Sequence, residues 1–300
     1  MMKPLILPFP GHENMAHDLA AALSLPVARA TIRHFPDGET FVRLDTPVKG
    51  RAVIVLCGLH DPDSKIMGLM FLSDLLREFG ATEIGLVAPY LGYMRQDKRF
   101  HDGEAITSRI FARLLSGLVD WLVTIDPHLH RYHSLDEIYT IPSQVLHATS
   151  AIADWIHDNV PDPVLVGPDE ESNQWVADVA RRAGAPFTVL SKIRHGDRDV
   201  EVSNPELDAF RQRTPVLVDD IISTAHTMIE TVHHLRDAAM KAPVCIAVHG
   251  IFAGDAYQEL KDAGAGCIVT TNTITHPSNA IDIVGLIAKA LAERYPPAAP

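Results

Sequence analysis

The chain has 300 residues, 47% of them hydrophobic, and a formal net charge of −12 at pH 7. That length suits one large α/β domain or two of ordinary size, and the acidity excludes a sequence-blind nucleic-acid binder, which needs a basic face. No run of about 18 apolar residues occurs, so no membrane span is expected, and Met1–Pro10 is too short and too broken by proline for a signal peptide. Cys57, Cys245 and Cys267 each sit in an apolar run. They read as buried thiols of a cytoplasmic protein without a disulfide framework.

Along the chain, short β-branched runs alternate with amphipathic stretches. A strand at Val53–Leu56 precedes a helix with Ile66, Leu69, Met70, Leu72, Leu76 and Phe79 on one face. A strand at Ile84–Val87 follows, then a helix carrying Ile106, Ile110, Leu114 and Leu118, then a strand at Trp121–Ile125. Beyond the midpoint come a strand at Val164–Val166, a helix with Val176, Val179, Ala180 and Ala183, and a strand at Val216–Val218. Met228, Val232 and Leu235 mark the next helix, and Ile281, Val284, Ile287 and Leu291 the last. Continuous apolar strands suit burial on both faces, and strand–helix alternation predicts parallel sheets with right-handed crossovers. Ile141-Pro142-Ser143 suggests a crossing between residues 1–143 and 144–300. Helix 66–79 before strand 84–88, and helix 226–239 before strand 244–249, form a weak echo of duplication.

Parallel sheets carry their chemistry at the carboxyl ends of strands. Asp126 and His128 end the 121–125 strand, Asp169 follows 164–166, and Asp219 and Asp220 follow 216–218. After that acid pair, Ile221 and Ile222 lead to Ser223, Thr224, Ala225, His226 and Thr227 at the start of a helix. N–H groups at a helix start attract phosphate, and paired carboxylates hold sugar hydroxyls or magnesium. The alternative is a strand, a turn and a Thr N-cap. Arg95, Lys98 and Arg99 concentrate positive charge around Gln96 and Asp97, which suits a nucleotide or its metal; a solvated loop is the plainer reading. No GxxxxGK[ST] or GxGxxG occurs, so ATP would have to be held another way. His128, His130 and His133 make an HxHxxH group that would suit zinc, although no matching ligand pattern occurs elsewhere.

The string 216–227 resembles the phosphoribosyl-binding loop of the type I phosphoribosyltransferase fold. Phe35-Pro36-Asp37-Gly38-Glu39 and Pro89–Lys98 look like the two ATP-contacting segments of the ribose-phosphate pyrophosphokinases. Thr124–His128, Val166–Ser172 and Ser191–Arg194 resemble later landmarks of that family, in order. The resemblance implies two phosphoribosyltransferase-like α/β domains, an ATP side first and a ribose 5-phosphate side second. It implies Phe35, Asp37, Glu39, Arg95, Gln96 and Asp97 at ATP, with the Phe35 segment serving a neighbouring subunit of a homo-oligomer. It further implies His128 and Asp169 at Mg2+, Lys192 and Arg194 as catalytic cations on a flap, and Asp219, Asp220 and Ser223 to Thr227 at ribose 5-phosphate. Departures are Ala225-His226 within the phosphate loop, Ser223 where many members carry Asp, Glu170-Glu171-Ser172 after Asp169, and Ile193 between the two cations. They suggest a branch nearer the archaeal-like enzymes. A phosphoribosyltransferase shares the 216–227 loop but has no use for the Phe35 and Arg95 segments. A non-catalytic regulatory homologue has no use for Lys192, Arg194, His128 and Asp169.

Overall fold

The computed structural model describes residues 2–168, 172–190, 193–195, 199–201 and 209–296. In chain order the elements are β1 (Leu5–Pro8), α1 (Glu13–Leu23), β2 (Ala30–His34), β3 (Thr40–Leu44), β4 (Ala52–Leu56), α2 (Asp63–Glu78), β5 (Glu83–Ala88), α3 (Thr107–Leu118), β6 (Trp121–Ile125) and β7 (Ser143–Leu146). There follow α4 (Thr149–Asn159), β8 (Pro163–Gly167), α5 (Asn173–Ala183), β9 (Phe187–Val189), β10 (Ile193–His195), β11 (Asp199–Glu201), β12 (Thr214–Ile222) and α6 (His226–Asp237). The last are β13 (Val244–Gly250), α7 (Ala256–Asp262), β14 (Cys267–Thr271), β15 (Asn279–Ile281) and α8 (Val284–Arg294). The chain forms two compact units, 1–146 with 284–300, and 147–283.

In the first unit a five-stranded sheet runs in the order β1-β4-β5-β6-β7, all parallel, and β2 and β3 form a separate antiparallel pair. Every second strand residue, among them Leu5, Leu7, Val53, Val55, Ile84, Leu86 and Leu122, joins one core with Leu69, Leu72 and Leu76 of α2 and Phe111 and Leu115 of α3. The expected face of α2 is thus seen, except that Phe79, just past the last turn, is exposed. Asp63 in the first turn of α2 and Arg77 in the last complement the helix dipole. Trp121 lies so close over Gly85 that a Cβ there would come within 1.8 Å of the indole, which explains a glycine in a buried strand.

The boundary near residue 143 falls inside β7, and the final helix belongs to the first unit, not to the second as residue order suggests. The physical reason is local to that unit. Tyr295 Oη donates to Glu83 Oε2 at 2.7 Å, Arg294 Nη2 donates to Glu83 Oε1 at 3.0 Å, and the Arg294 guanidinium lies 4.5 Å from the centre of the Trp121 ring. Ile281, expected on that helix, instead ends β15, and the helix starts at Val284.

In the second unit a six-stranded sheet runs in the order β15-β14-β13-β12-β8-β9, again all parallel, with β10 and β11 a separate antiparallel pair. The connection through α5 leads from β8 outward to β9, whereas α6 leads from β12 the other way to β13. The sheet therefore changes direction between β8 and β12, and the carboxyl ends of those strands form a topological switch point. Val164, Val166, Leu217, Cys245 and Ala247 pack with Met228, Val232 and Leu235 of α6 and Leu260 of α7. Cys57 and Cys245 are buried, and desolvation pushes both thiols up to about 12. Cys267, also expected inside, is exposed because it is the first residue of β14, where burial begins only further along the strand.

Candidate active site

On the second unit, β12 is buried from Pro215 to Val218 and runs on, half-buried, through Asp219, Asp220 and Ile221. The two acids therefore lie within the strand, not after it. They stay in the strand because β13 keeps pairing with them, Asp219 beside Ala247 and Ile221 beside His249. Asp219 Oδ1 accepts the Asp220 N–H at 2.9 Å. The turn beyond is pinned by the exit of β13. Ile222 O accepts the N–H groups of Ile251 and Phe252 at 2.9 and 3.1 Å, and Ser223 O accepts that of Ala253 at 3.0 Å.

Helix α6 then starts with Ala225 at its N-cap, in the left-handed region at φ 59°, and no side chain caps it. The expected alternative of a Thr N-cap is thus replaced by an alanine. An L-residue held in that conformation costs about 1–2 kcal/mol, and the methyl is buried beside Ile222 and Met228. The N–H groups of the first turn have no side-chain acceptor of the capping kind, and exposed Thr224, His226 and Thr227 surround them. Uncapped donors at the positive end of a helix make an anion site. Here the helix start follows β12, the strand that carries Asp219 and Asp220.

On the first unit, Phe35 to Glu39 form the tip of the β2–β3 hairpin. The tip is closed by Phe35 N–H to Glu39 O at 2.8 Å and Gly38 N–H to Phe35 O at 2.9 Å, with Asp37 Oδ1 accepting the Glu39 N–H at 3.2 Å. The tip is solvent-facing and Phe35 is 40% exposed, so it is not a core residue. Arg33 lies over the Phe35 and Phe41 rings, 4.7 and 4.5 Å from their centres.

The 95–97 segment enters through Tyr93, a non-glycine at φ 62°, whose hydroxyl bonds Asp63 at the start of α2. Ahead of Tyr93 the chain is held by loop 57–62, with Leu59 N–H donating to Tyr90 O at 2.8 Å. That loop is itself organised by Lys65, whose Nζ donates to Gly58 O at 2.8 Å and His60 O at 2.6 Å, and by His12 Nε2, which accepts the Gly58 N–H at 2.7 Å. Burial, then the Lys65 charge and then His12, hold the His60 imidazole down to about 4. Burial and Lys65 also lower His12.

Arg95 is exposed, and no ion pair is formed by it among the described residues. Gln96 is held by α3. Thr107 Oγ1 donates to its Oε1 at 3.2 Å, and its O accepts the Ser108 N–H at 3.3 Å. Asp97 follows directly. It is buried, and its Oδ1 accepts from Arg131 Nη1 at 2.7 Å. Arg131 and Tyr132 carry no sequence motif, and only the fold brings them to Asp97.

His128 is half-buried two residues past Asp126, which is buried and itself at φ 33°. The His128 and His130 rings meet edge to face, 4.1 Å between centres. Among the described residues no group of three or more His, Cys, Asp or Glu converges as a metal site. Magnesium keeps several waters and takes oxygens of substrate phosphates, so few protein donors suffice for it. Asp169 and Lys192 lie outside the described residues. Arg194 is in β10, its backbone opposite Val200 of β11, so the expected extended flap is a short antiparallel hairpin at that point.

No helix among the described residues is long and apolar enough to cross a membrane. Residues 5–118 match the N-terminal domain of ribose phosphate pyrophosphokinase, and residues 134–282 match the phosphoribosyl transferase domain. The ribose-phosphate pyrophosphokinase of Methanobrevibacter smithii is 30% identical over 293 residues, covering 94% of this chain and 97% of that protein. Its namesake from Halobacterium salinarum is 32% identical over 281 residues, covering 93% and 97%. The crystal structure of phosphoribosylpyrophosphate synthetase from Mycobacterium smegmatis superposes with a TM-score of 0.84 at 26% identity, covering 98% of this chain and 99% of that one. With both domain models matched in order and the relatives aligned nearly end to end, the chain belongs to the ribose-phosphate pyrophosphokinase family.

Proposed function

We propose that the chain is a ribose-phosphate diphosphokinase: it moves the β,γ-diphosphate of ATP to the 1-hydroxyl of ribose 5-phosphate, giving 5-phosphoribosyl 1-pyrophosphate and AMP. The observation that carries this reading is the uncapped start of α6 beside Asp219 and Asp220 at the switch point, in a chain that also has the exposed Arg95 and Phe35 segments of an ATP user. The anomeric oxygen forms a bond to the β-phosphorus, the bond from that phosphorus to the α–β bridging oxygen breaks, and AMP leaves with the bridging oxygen. The hydroxyl proton passes to solvent. Such a transfer needs positioning and charge neutralisation more than covalent chemistry.

In this reading Asp219 and Asp220 accept hydrogen bonds from the ribose hydroxyls, which fixes the anomeric carbon. The N–H groups and hydroxyls from Ser223 to Thr227 hold the 5-phosphate. Arg95 offers its fork of donors to the triphosphate, and Gln96 orients the nucleotide. His128 and Asp169 would hold Mg2+, which when bound neutralises phosphate charge. Lys192 and Arg194 meet the charge that builds on the equatorial oxygens.

The exposed hairpin tip with Phe35, Asp37 and Glu39 serves the ATP of a neighbouring copy, so the active form is at least a dimer. Sedimentation should show no fully active monomer. A cytoplasmic setting suits the free thiols of Cys57, Cys245 and Cys267. The direct test is to incubate the purified chain with ATP, Mg2+ and ribose 5-phosphate and follow phosphorus resonances. AMP and phosphoribosyl pyrophosphate should appear together without any added base. A need for a purine or pyrimidine base would identify a phosphoribosyltransferase instead, and no turnover would identify a regulatory homologue.

A further inference from the structure

Arg95 and Gln96 precede α3, whereas His128 follows β6, and the two stretches are tied by an ion pair between Asp97 of the first and Arg131 of the second. Arg131 Nη1 donates to Asp97 Oδ1 at 2.7 Å. The partners are unequal: the Asp97 side chain is 2% exposed and that of Arg131 is 46% exposed. A second tie runs beside it. The Tyr132 hydroxyl donates to Asp97 O at 3.2 Å, and Arg109 Nε of α3 donates to that hydroxyl at 3.2 Å. The outer side of the Arg131 guanidinium lies 5.9 Å from the centre of the Phe100 ring, which Lys98 approaches to 5.1 Å.

A carboxylate withdrawn from water needs a cation close by. That cation could have been left for a ligand to bring, but here the chain supplies it from the stretch that carries His128. Buried pairs of this kind add little net stability, because desolvation offsets attraction, yet they hold the segments that bear them in one arrangement. We infer that Arg131 is a positioning residue for the diphosphate transfer: its ion pair with buried Asp97 sets the spacing between Arg95–Gln96 and His128, and Asp97 is its anchor, not a nucleotide ligand. The inference rests on the ATP site proposed above.

The test uses the full chain, binding of α,β-methylene-ATP with Mg2+ by calorimetry, steady-state kinetics and thermal denaturation. Arg131→Ala should weaken binding of the analogue and raise KM for ATP by roughly tenfold to a hundredfold, with KM for ribose 5-phosphate unchanged. Its melting temperature should fall, because Asp97 is left buried and unpaired. Asp97→Asn combined with Arg131→Ala strands no charge, so it should regain thermal stability while nucleotide binding stays weak. Arg131→Lys should recover part of the binding, since a single donor–acceptor contact is involved. Recovery of nucleotide binding along with stability in the double variant would reduce the pair to a structural role and overturn the inference, as would equal losses for both substrates. Arg95→Ala and His128→Ala separate the two levels. If neither weakens the analogue, the ATP site itself is misplaced; if both do and Arg131→Ala does not, only the role of Arg131 fails.

Discussion

In the proposed reading the 214–227 segment of the second unit takes the sugar phosphate and the 35–39, 95–97 and 128–132 segments of the first take the nucleotide, and the two are built in different ways. Residues 214–227 are contiguous: a buried strand, a pair of acids, a turn pinned to β13 and a helix start without a side-chain cap. Its donors are backbone groups, and their direction follows from the helix itself. The nucleotide side instead uses side chains from a hairpin tip at 35–39, a loop at 95–97 and a loop at 128–132. Its key pair, Asp97 and Arg131, is separated by 34 residues. A contiguous site should therefore fail locally when one group is removed, whereas a dispersed site should fail through the contacts that hold its parts.

The sharpest break in this comparison comes from the cations proposed as catalytic, Lys192 and Arg194, which that proposal assigns to the transition state and to neither ground-state substrate. Lys192→Ala should lower kcat by about a hundredfold or more with both Michaelis constants nearly unchanged. Near-normal kcat would remove Lys192 from the reaction while leaving the two binding regions intact. Next in size is the local failure of the contiguous site. Asp220→Asn should weaken ribose 5-phosphate binding by about 1.5–3 kcal/mol, the worth of one charge-assisted hydrogen bond. If the loss appears in the ATP constant instead, the division of labour between the units is wrong. On the dispersed side, His128→Ala should impair turnover and shift the Mg2+ dependence to higher concentration, with ribose 5-phosphate binding measured alone staying constant.

The smallest expected effect concerns loop 57–62, which holds the chain at Tyr90. In the folded chain His60 is held neutral down to about pH 4, against an ordinary value near 6.5. The unfolded chain therefore takes up a proton that the folded chain refuses, and stability is full above about pH 6.5 and declines as the pH falls toward 4. His12 is lowered for the same reason and acts in the same direction. His60→Gln should flatten the fall of the melting temperature across that window. An unchanged slope would show that the loop around Lys65 is not where acid sensitivity lies.

Much of this was legible without coordinates. The continuous apolar runs at 53–56, 84–87, 121–125, 164–166 and 216–218 all lie in buried parallel strands, because a strand covered on both faces must be apolar throughout. The helix start after the 216–222 strand was legible for a related reason: the change from strand to helix is written in local periodicity. What residue order could not supply was pairing at a distance. The buried state of Asp97 depends on Arg131, and the placement of α8 with the first unit depends on Glu83 and Trp121. The continuation of β12 through Asp219 and Asp220 depends on β13. Periodicity and local motifs record how a segment relates to water and to its own backbone. Which remote side chain neutralises a buried charge, or which neighbour extends a strand, is settled only when the sheets close and desolvation makes one partner necessary.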